Sequence, residues 1–172
     1  MAATLRRLTE TDWPVLKEIR LKALRTDPGV FGSNHAKELA YGEDVWQSWL
    51  ASPDNGIFGM FDDGKIVGMT GIVIDKEDPE KRKAILWGSW LEPGYRGQGL
   101  SVLMYEARIS WARGHETCET ILVSHRASNV SSMRANQKHG FVFTHNEDKV
   151  WPDGGHEDNV HYELRVKAAH TA

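Results

Sequence analysis

The fold is decided by the stretch Trp90-Leu91-Glu92-Pro93-Gly94-Tyr95-Arg96-Gly97-Gln98-Gly99-Leu100-Ser101. It follows an apolar run and leads into a helical pattern with apolar residues at positions 100, 103, 104, 107 and 111. The sequence therefore predicts a strand that turns through glycines into a helix. Such an elbow presents free backbone N–H groups and the positive end of a helix dipole, which favour a phosphate or pyrophosphate ligand.

Two common phosphate-binding motifs do not fit this elbow. A P-loop requires Gly-Lys-Ser/Thr at the start of the helix, whereas Gly99 is followed by Leu100 and Ser101. A dinucleotide fingerprint requires a third glycine after Gly97 and Gly99, where this chain has Val102. The elbow therefore either binds a different phosphate ligand or is a purely structural turn.

The elbow resembles the coenzyme-A pyrophosphate loop of the GCN5-related N-acetyltransferases (GNAT), which reads Arg-x-x-Gly-x-Gly/Ala. The match runs from Arg96 to Ser101, and only the last position departs, because Ser101 stands in place of glycine or alanine. Serine is small enough to preserve the close approach of a ligand to the backbone.

A second segment, Asn129 to Phe141, resembles the other half of the GNAT cofactor site. It predicts a helix capped by Asn129 or Ser128 that ends at Gly140, with Phe141 opening a new strand. The family pattern is Asn-x-x-Ala-x-x-x-Tyr-x-x-x-Gly-Phe, and the spacing from Asn129 to Gly140 is the same. With both motifs in this order, the chain is identified as a member of the GNAT superfamily. A weaker local resemblance, over residues 126–129 and 151–158, is to ribosomal-protein alanine N-acetyltransferases.

The resemblance implies an α+β GNAT fold in one domain. We expect a mostly antiparallel central sheet of about seven strands, splayed at the cofactor site and flanked by about four helices. The N-acetyltransferase domain is predicted over residues 1–166, followed by a C-terminal tail at 167–172. The predicted elements are strand 5–8, helices 13–24 and 43–50, strands 57–61, 66–75 and 83–91, helix 98–113, strand 121–123, a helix after Asn129, and strands 141–144 and 159–164.

Composition narrows the compartment and the partners. The net charge of −3 is spread along the chain, so no nucleic-acid surface is expected. We expect no membrane association, because no apolar run reaches 18 residues and the first residues lack the apolar core of a signal peptide. The single cysteine, Cys118, is compatible with a reducing cytoplasm. Many GNAT proteins pair, so a homodimer is possible.

The resemblance also implies how the site residues act. Acetyl-CoA is the expected co-substrate, and an amine attacks its thioester directly. Backbone N–H groups of Trp90 and Leu91 would hold the acetyl oxygen. Asn129 would bind the pantetheine arm, and Ser132 would lie near the sulfur. The residues expected to hold the pyrophosphate are Arg96, Gly97, Gln98, Gly99, Leu100 and Ser101.

The acid–base positions depart from the family pattern. Relatives commonly place a tyrosine as general acid where this chain has Asn136, which cannot give up a proton. Ser124 likewise replaces a glutamate that some relatives carry. The remaining candidates for a general base are His125, with a suitable intrinsic pKa, and Glu92. His125 is alternatively a capping histidine, and Glu92 a solvated turn residue.

The acceptor site is expected at the front helices and the loop 151–158. Phe31, Trp46 and Trp151 are the candidate substrate-binding residues, although tryptophans at this spacing are also typical of a core. We expect no metal, because His145, His156 and His161 lack a ligand spacing.

The favoured function is acetyl-CoA-dependent N-acetylation of a primary amine, either a small molecule or a peptide N-terminus. The alternative is a coenzyme-A-binding sensor or interaction module with little or no transfer, which the vacant acid–base positions favour.

Overall fold

The computed structural model describes residues 3–168, so positions 169–172 of the expected tail lie outside the described residues. A seven-stranded sheet has the order β1-β2-β3-β4-β5-β7-β6, and only β4 and β5 are parallel. The expected α+β sheet is therefore confirmed. The strands are β1 Thr4–Arg7, β2 Asn55–Asp62, β3 Lys65–Ile74, β4 Lys83–Leu91, β5 Thr120–Arg126, β6 Val142–Glu147 and β7 Asn159–Arg165.

The described residues form five α-helices, one more than expected. They are α1 Trp13–Thr26, α2 His35–Leu39, α3 Glu43–Ala51, α4 Leu100–Gly114 and α5 Val130–Lys138. The helix that the sequence did not predict is α2, which is too short to show a helical period. It is held by its cap, since the Asn34 side chain accepts from Lys37 N–H at 2.9 Å, and by a buried ion pair between Glu38 and Arg20.

The two central strands diverge after a short parallel contact. β4 and β5 pair only from Lys83↔Thr120 to Ile85↔Leu122. Further along, β4 bulges opposite Thr70, where Gly88 adopts φ +68° and a Cβ would lie 3.1 Å from the end of Met69. A V-shaped gap opens between the strands, and its walls are completed by α4 and α5.

The buried face of α4 differs from the predicted one. Met104, Tyr105, Arg108 and Ala112 are buried, whereas Leu103 is 37% exposed. Positions 104, 108 and 112 follow one i, i+4 line that lies over the diverging strands. The helix begins at Leu100 rather than at residue 98, because Gly97 and Gly99 both adopt left-handed φ.

Helices α1 and α3 cover the first half of the sheet around a separate core that includes Leu16, Ile19 and Trp46. No helix within residues 3–168 is both long and apolar enough to span a bilayer.

Candidate active site

Two adjoining cavities occupy the gap between β4 and β5. The larger, of about 280 Å³, extends from Arg96 and Ser101 along β4, and the smaller, of about 140 Å³, reaches Phe31 and His125. The residues that line both cavities are Val30, Ser89, Tyr105, Arg108, Asn129 and Ser132. One groove therefore runs from the glycine elbow to the far end of β5.

The glycine elbow has the backbone of an anion-binding site. Gly97 and Gly99 have φ of +74° and +80°, and a Cβ at either position would meet no atom of the described residues within 4 Å. Packing does not require these glycines, but the left-handed backbone does. Gly99 is the N-cap of the 15-residue helix α4, so the first N–H groups of that helix lack intrahelical partners.

Arg96 is fixed beside the elbow by two acceptors. Its Nε donates to the Leu91 carbonyl at 2.9 Å, and its Nη2 donates to Asp27 Oδ2 at 2.7 Å. The same carboxylate oxygen accepts from the indole N–H of Trp90 at 2.7 Å. Partial burial opposes the charge of Asp27, but these two donors outweigh it and lower the pKa of Asp27 below its usual value. Asp27 therefore ties the end of α1 to β4 and to the elbow.

The backbone of β4 offers one of the two predicted N–H donors to the groove. Glu92 N–H bonds to Val67 O on β3 at 2.9 Å. Because N–H groups alternate along a strand, Trp90 N–H faces β3 and Leu91 N–H faces the open edge. Leu91 is thus the donor available to an acetyl oxygen, while Trp90 contributes its buried ring to the wall.

Asn129 and Ser132 lie together at the start of α5. The Asn129 side chain accepts from Ser132 N–H at 3.1 Å and caps the helix, as the sequence predicts. Both residues line the two cavities, so Asn129 can present its amide N–H groups to the groove while its oxygen holds the cap.

The two candidate bases have different surroundings. His125 is buried and lines the smaller cavity, but its Nδ1 lies 2.8 Å from Arg126 O and its Nε2 lies 3.0 Å from Tyr162 Oη. Since a carbonyl only accepts, Nδ1 carries a proton. Glu92 is outside both cavity linings, and its carboxylate pairs with Lys22 and lies 3.9 Å from Lys65 Nζ. The turn that carries Glu92 therefore faces α1 and β3, and its carboxylate lies away from the groove.

Asn136 occupies the position where relatives carry the tyrosine. It is 1% exposed, and its Oδ1 accepts from the Tyr105 hydroxyl at 2.6 Å. Burial raises the pKa of Tyr105, so this hydroxyl remains a donor. The Asn136 amide nitrogen is buried without a hydrogen-bond partner among the described residues and lies in the wall of the smaller cavity.

Of the three predicted acceptor residues, one lines the groove. Phe31 lies in the wall of the smaller cavity. Trp46 is fully buried in the core with Leu16 and Ile19 of α1, tilted against the Tyr41 ring and edge-on to the Trp49 ring, so it does not reach the groove. Trp151 is 5% exposed and lies behind Arg126, outside both cavities, so its ring does not reach the groove.

Arg126 joins two loops at the acceptor end. It donates to Gly29 O at 2.9 Å and to Asp153 Oδ2 at 2.7 Å, and it also pairs with Glu157. Glu157 accepts in turn from Ser128 N–H at 3.0 Å. The loops around residues 27–31 and 151–157 are thereby held together beside the smaller cavity.

Several groove residues were missed by the sequence reasoning. Asp27, Trp87, Tyr105 and Arg108 line the groove, and Arg126 lies beside it. A signal existed for Arg108, because it stands at i+4 from Met104 and i+8 from Leu100 on a face that should be apolar. Asp27 gave no such signal, since its partners are more than 60 residues away.

No group of three or more potential metal ligands is found among residues 3–168. Comparison of the sequence with curated proteins gives no match. Solved structures match closely in fold. A GNAT acetyltransferase from Streptococcus pneumoniae has a TM-score of 0.82 at 20% identity and covers 96% of this chain and 100% of its own.

Two further structures show the same fold. A Salmonella typhimurium protein solved with its cofactor acetyl-CoA has a TM-score of 0.82 at 16% identity and covers 100% of this chain and 98% of its own. The ribosomal-protein-S18-alanine N-acetyltransferase of Escherichia coli has a TM-score of 0.71 at 20% identity, with 98% and 97% covered. The sequence model of the acetyltransferase (GNAT) family matches residues 13–141. The chain therefore belongs to this family and is an N-acetyltransferase with acetyl-CoA as its co-substrate.

Proposed function

We propose that the chain acetylates a primary amine, a small molecule or a peptide N-terminus, by direct attack on acetyl-CoA in a ternary complex. The observation that carries the proposal is the continuous groove from the glycine elbow to His125, because it allows donor and acceptor to be bound together. The backbone from Gly97 to Ser101 would hold the pyrophosphate, with Asn129 and Ser132 along the pantetheine arm.

Leu91 N–H would stabilise the negative charge that develops on the acetyl oxygen, because it is the predicted donor at the open edge of β4. Phe31 and Trp87 would bound the acceptor, since both line the smaller cavity. The enclosing loops are those that Arg126 holds together, so an acceptor enters beside residues 27–31 and 151–157.

His125 remains the proposed general base. Its Nδ1 proton is held by the Arg126 carbonyl, so the nitrogen that takes a proton is Nε2. In the described arrangement Nε2 accepts from Tyr162, and it must exchange this hydroxyl for the amine or for a bridging water. We therefore expect His125→Ala to remove the low-pH limb of the kcat/KM profile and Tyr162→Phe to preserve it.

A homodimer in a reducing compartment such as the cytoplasm is also proposed. Edge strand β6 supports the pairing, since Val142 is 64% and Phe143 53% exposed. Cys118 is buried, and this burial raises the pKa of its thiol, which suits a cysteine that is not exposed to oxidation. Sedimentation of the wild type and of Phe143→Lys tests the pairing, and a wild-type monomer at micromolar concentration would contradict it.

The first experiment is calorimetric titration with acetyl-CoA, with desulfo-CoA and NAD as comparisons. We expect acetyl-CoA and desulfo-CoA to bind and NAD not to bind. Release of coenzyme-A thiol is then followed with two panels, one of small primary amines and one of peptides with free N-termini. Acetyl-CoA binding without transfer to either panel would overturn the proposal and favour the sensor module.

A further inference from the structure

A cation without a counterion lies in the groove wall. Arg108 is 2% exposed, and all its partners are uncharged. It donates to the Met104 carbonyl at 3.0 Å and to the Ser89 hydroxyl at 2.9 Å, and its guanidinium lies over the Tyr105 ring, 4.8 Å from the centroid. No carboxylate of residues 3–168 pairs with it. Burial lowers the pKa of Arg108 to about 10, so the guanidinium stays charged at neutral pH. A buried, unpaired charge is costly and calls for an explanation.

The other buried arginine beside the groove, Arg20, has the carboxylate partner that Arg108 lacks. Arg20 is 6% exposed and forms a bidentate pair with Glu38, at 2.8 and 3.0 Å. Both Arg20 and Arg108 lie on helices that pack against β4, but only Arg20 is neutralised. Any counterion for Arg108 therefore has to come from outside residues 3–168.

An unsatisfied hydrogen-bond donor lies in the same wall. The Asn136 amide nitrogen is buried without a partner, although its oxygen is held by Tyr105 at 2.6 Å. The hydrogen bond to Tyr105 fixes which end of the amide points away from the hydroxyl. Arg108 and Asn136 both line the smaller cavity, and an unmade buried hydrogen bond is unfavourable until an acceptor arrives.

The position of Arg108 in the groove indicates which anion it would bind. It lines both cavities, so it lies where the cofactor arm meets the acceptor end. An acetyl thioester is neutral, so it gives the guanidinium no counterion. Acetyl transfer, however, produces a thiolate at this junction whichever amine is used.

We propose that Arg108 and Asn136 form a binding site for the departing thiolate of coenzyme A, an inference that rests on the proposed function. The amine nitrogen bonds to the acetyl carbon, the carbon–sulfur bond breaks, and its electron pair leaves on sulfur. The amine proton goes to His125 or to water. The sulfur needs no acid at this step, because charge and hydrogen bonding stabilise it, and it takes a proton in solution after release. Free thiols have a pKa of about 8.5.

The direct test titrates the thiol of bound coenzyme A through the ultraviolet absorbance of its thiolate. The complex with desulfo-CoA is the blank. In the wild type we expect the thiol pKa to fall by at least about one unit, which is a tenfold stabilisation of the thiolate. A bound thiol that titrates at or above the pKa of free coenzyme A would overturn the proposal. This measurement needs no variant and no turnover.

Variants assign the effect to the two residues. Arg108→Gln should return the thiol pKa towards the free value, and Asn136→Ala should do so in part. Arg113 is an exposed arginine of the same helix, and Arg113→Gln is the matched control. In this variant the pKa of the bound thiol should stay as low as in the wild type. Unchanged desulfo-CoA affinity in Arg108→Gln shows that the groove is intact. If Arg108→Gln does not fold, Asn136→Ala and the wild-type titration test whether the groove lowers the pKa of the thiol.

Kinetics separate this role from recognition of an anionic acceptor. We expect Arg108→Gln to lower kcat on the order of 10²-fold for every amine, with partial recovery in Arg108→Lys. A rise in KM confined to amines that bear a carboxylate, with an unaltered thiol titration, would overturn the proposal. A lowered thiol pKa without transfer to any amine would support the anion site while the proposed function fails.

Discussion

Tyr105 donates a 2.6 Å hydrogen bond from α4 to the side-chain oxygen of Asn136 on α5, at the position where relatives of this chain carry a tyrosine. The phenol hydroxyl at this point of the groove therefore comes from a different helix. The shared space between the two side chains is small, because Tyr105 is 7% and Asn136 1% exposed.

Restoring the family tyrosine should destabilise this protein. Asn136→Tyr places a second ring against Tyr105, and such overpacking costs about 1–3 kcal/mol. The double variant Tyr105→Ala with Asn136→Tyr should recover part of this loss, because the first change vacates the space. Urea unfolding of both single variants and of the double variant measures the coupling. If the losses in unfolding free energy of the two single variants add in the double variant, the two side chains do not compete for the same space.

Alanine at Gly99 should weaken acetyl-CoA binding more than it weakens the fold. Gly99 and Gly64 have φ of +80° and +77°, and a Cβ at either meets no described atom within 4 Å. Each substitution therefore imposes a similar backbone strain, about 1–2 kcal/mol. Only Gly99→Ala alters the elbow, so only it should reduce acetyl-CoA affinity, by tenfold or more in calorimetry. Equal affinity in the two variants would mean that the elbow is only a turn.

The carboxylate of Asp27 should contribute stability that disappears in acid. Hydrogen bonds from Trp90 and Arg96 outweigh the effect of burial and hold the pKa of Asp27 below the ordinary value of 3.8. A lowered pKa in the folded state gives stability that is present above pH 3.8 and is lost as the pH falls through the folded value. Asp27→Asn should therefore destabilise the protein at pH 6 and less so near pH 3, below the ordinary pKa of 3.8.

Urea unfolding at the two pH values measures this difference. Asp63→Asn, an exposed carboxylate in the β2–β3 turn, is the control. A loss in Asp27→Asn that is equally large at both pH values would refute the electrostatic account.

Arg126 should control acceptor binding through the two loops that it joins. Arg126→Ala removes the contacts to Gly29 and Asp153, so we expect faster amide exchange in residues 27–31 and 151–157. The KM for the acceptor should rise several-fold while acetyl-CoA affinity changes little. Arg134→Ala, an exposed arginine on α5, is the control. Unchanged exchange in both loops would mean that other contacts hold them.

The parts of the fold that follow from local patterns were predictable. Consecutive residues determine the strand, the glycine elbow and the helix around Gly97 and Gly99. The same is true of the helix cap at Asn129. Helix α2 was not predictable, because its stability depends on the pairing of Glu38 with Arg20, 18 residues earlier.

The site was predictable only where its residues belong to motifs. Trp46 and Glu92 were assigned by residue type, and their burial or pairing depends on how α1 and α3 pack on the sheet. Arg108 was visible as a charge on an apolar helix face, but its unpaired state depends on every carboxylate that might have reached it. Distant pairings of this kind are not encoded by any local period.

The divergence of β4 from β5 has a mechanical consequence. Within residues 3–168, β4 and β5 pair over only three residue pairs, from Lys83↔Thr120 to Ile85↔Leu122. The two halves of the sheet, β1 to β4 and β5 to β7, are therefore paired with each other only at one end of the gap. A molecule bound in the gap would contact both halves, so we expect ligand binding to make the whole protein more rigid.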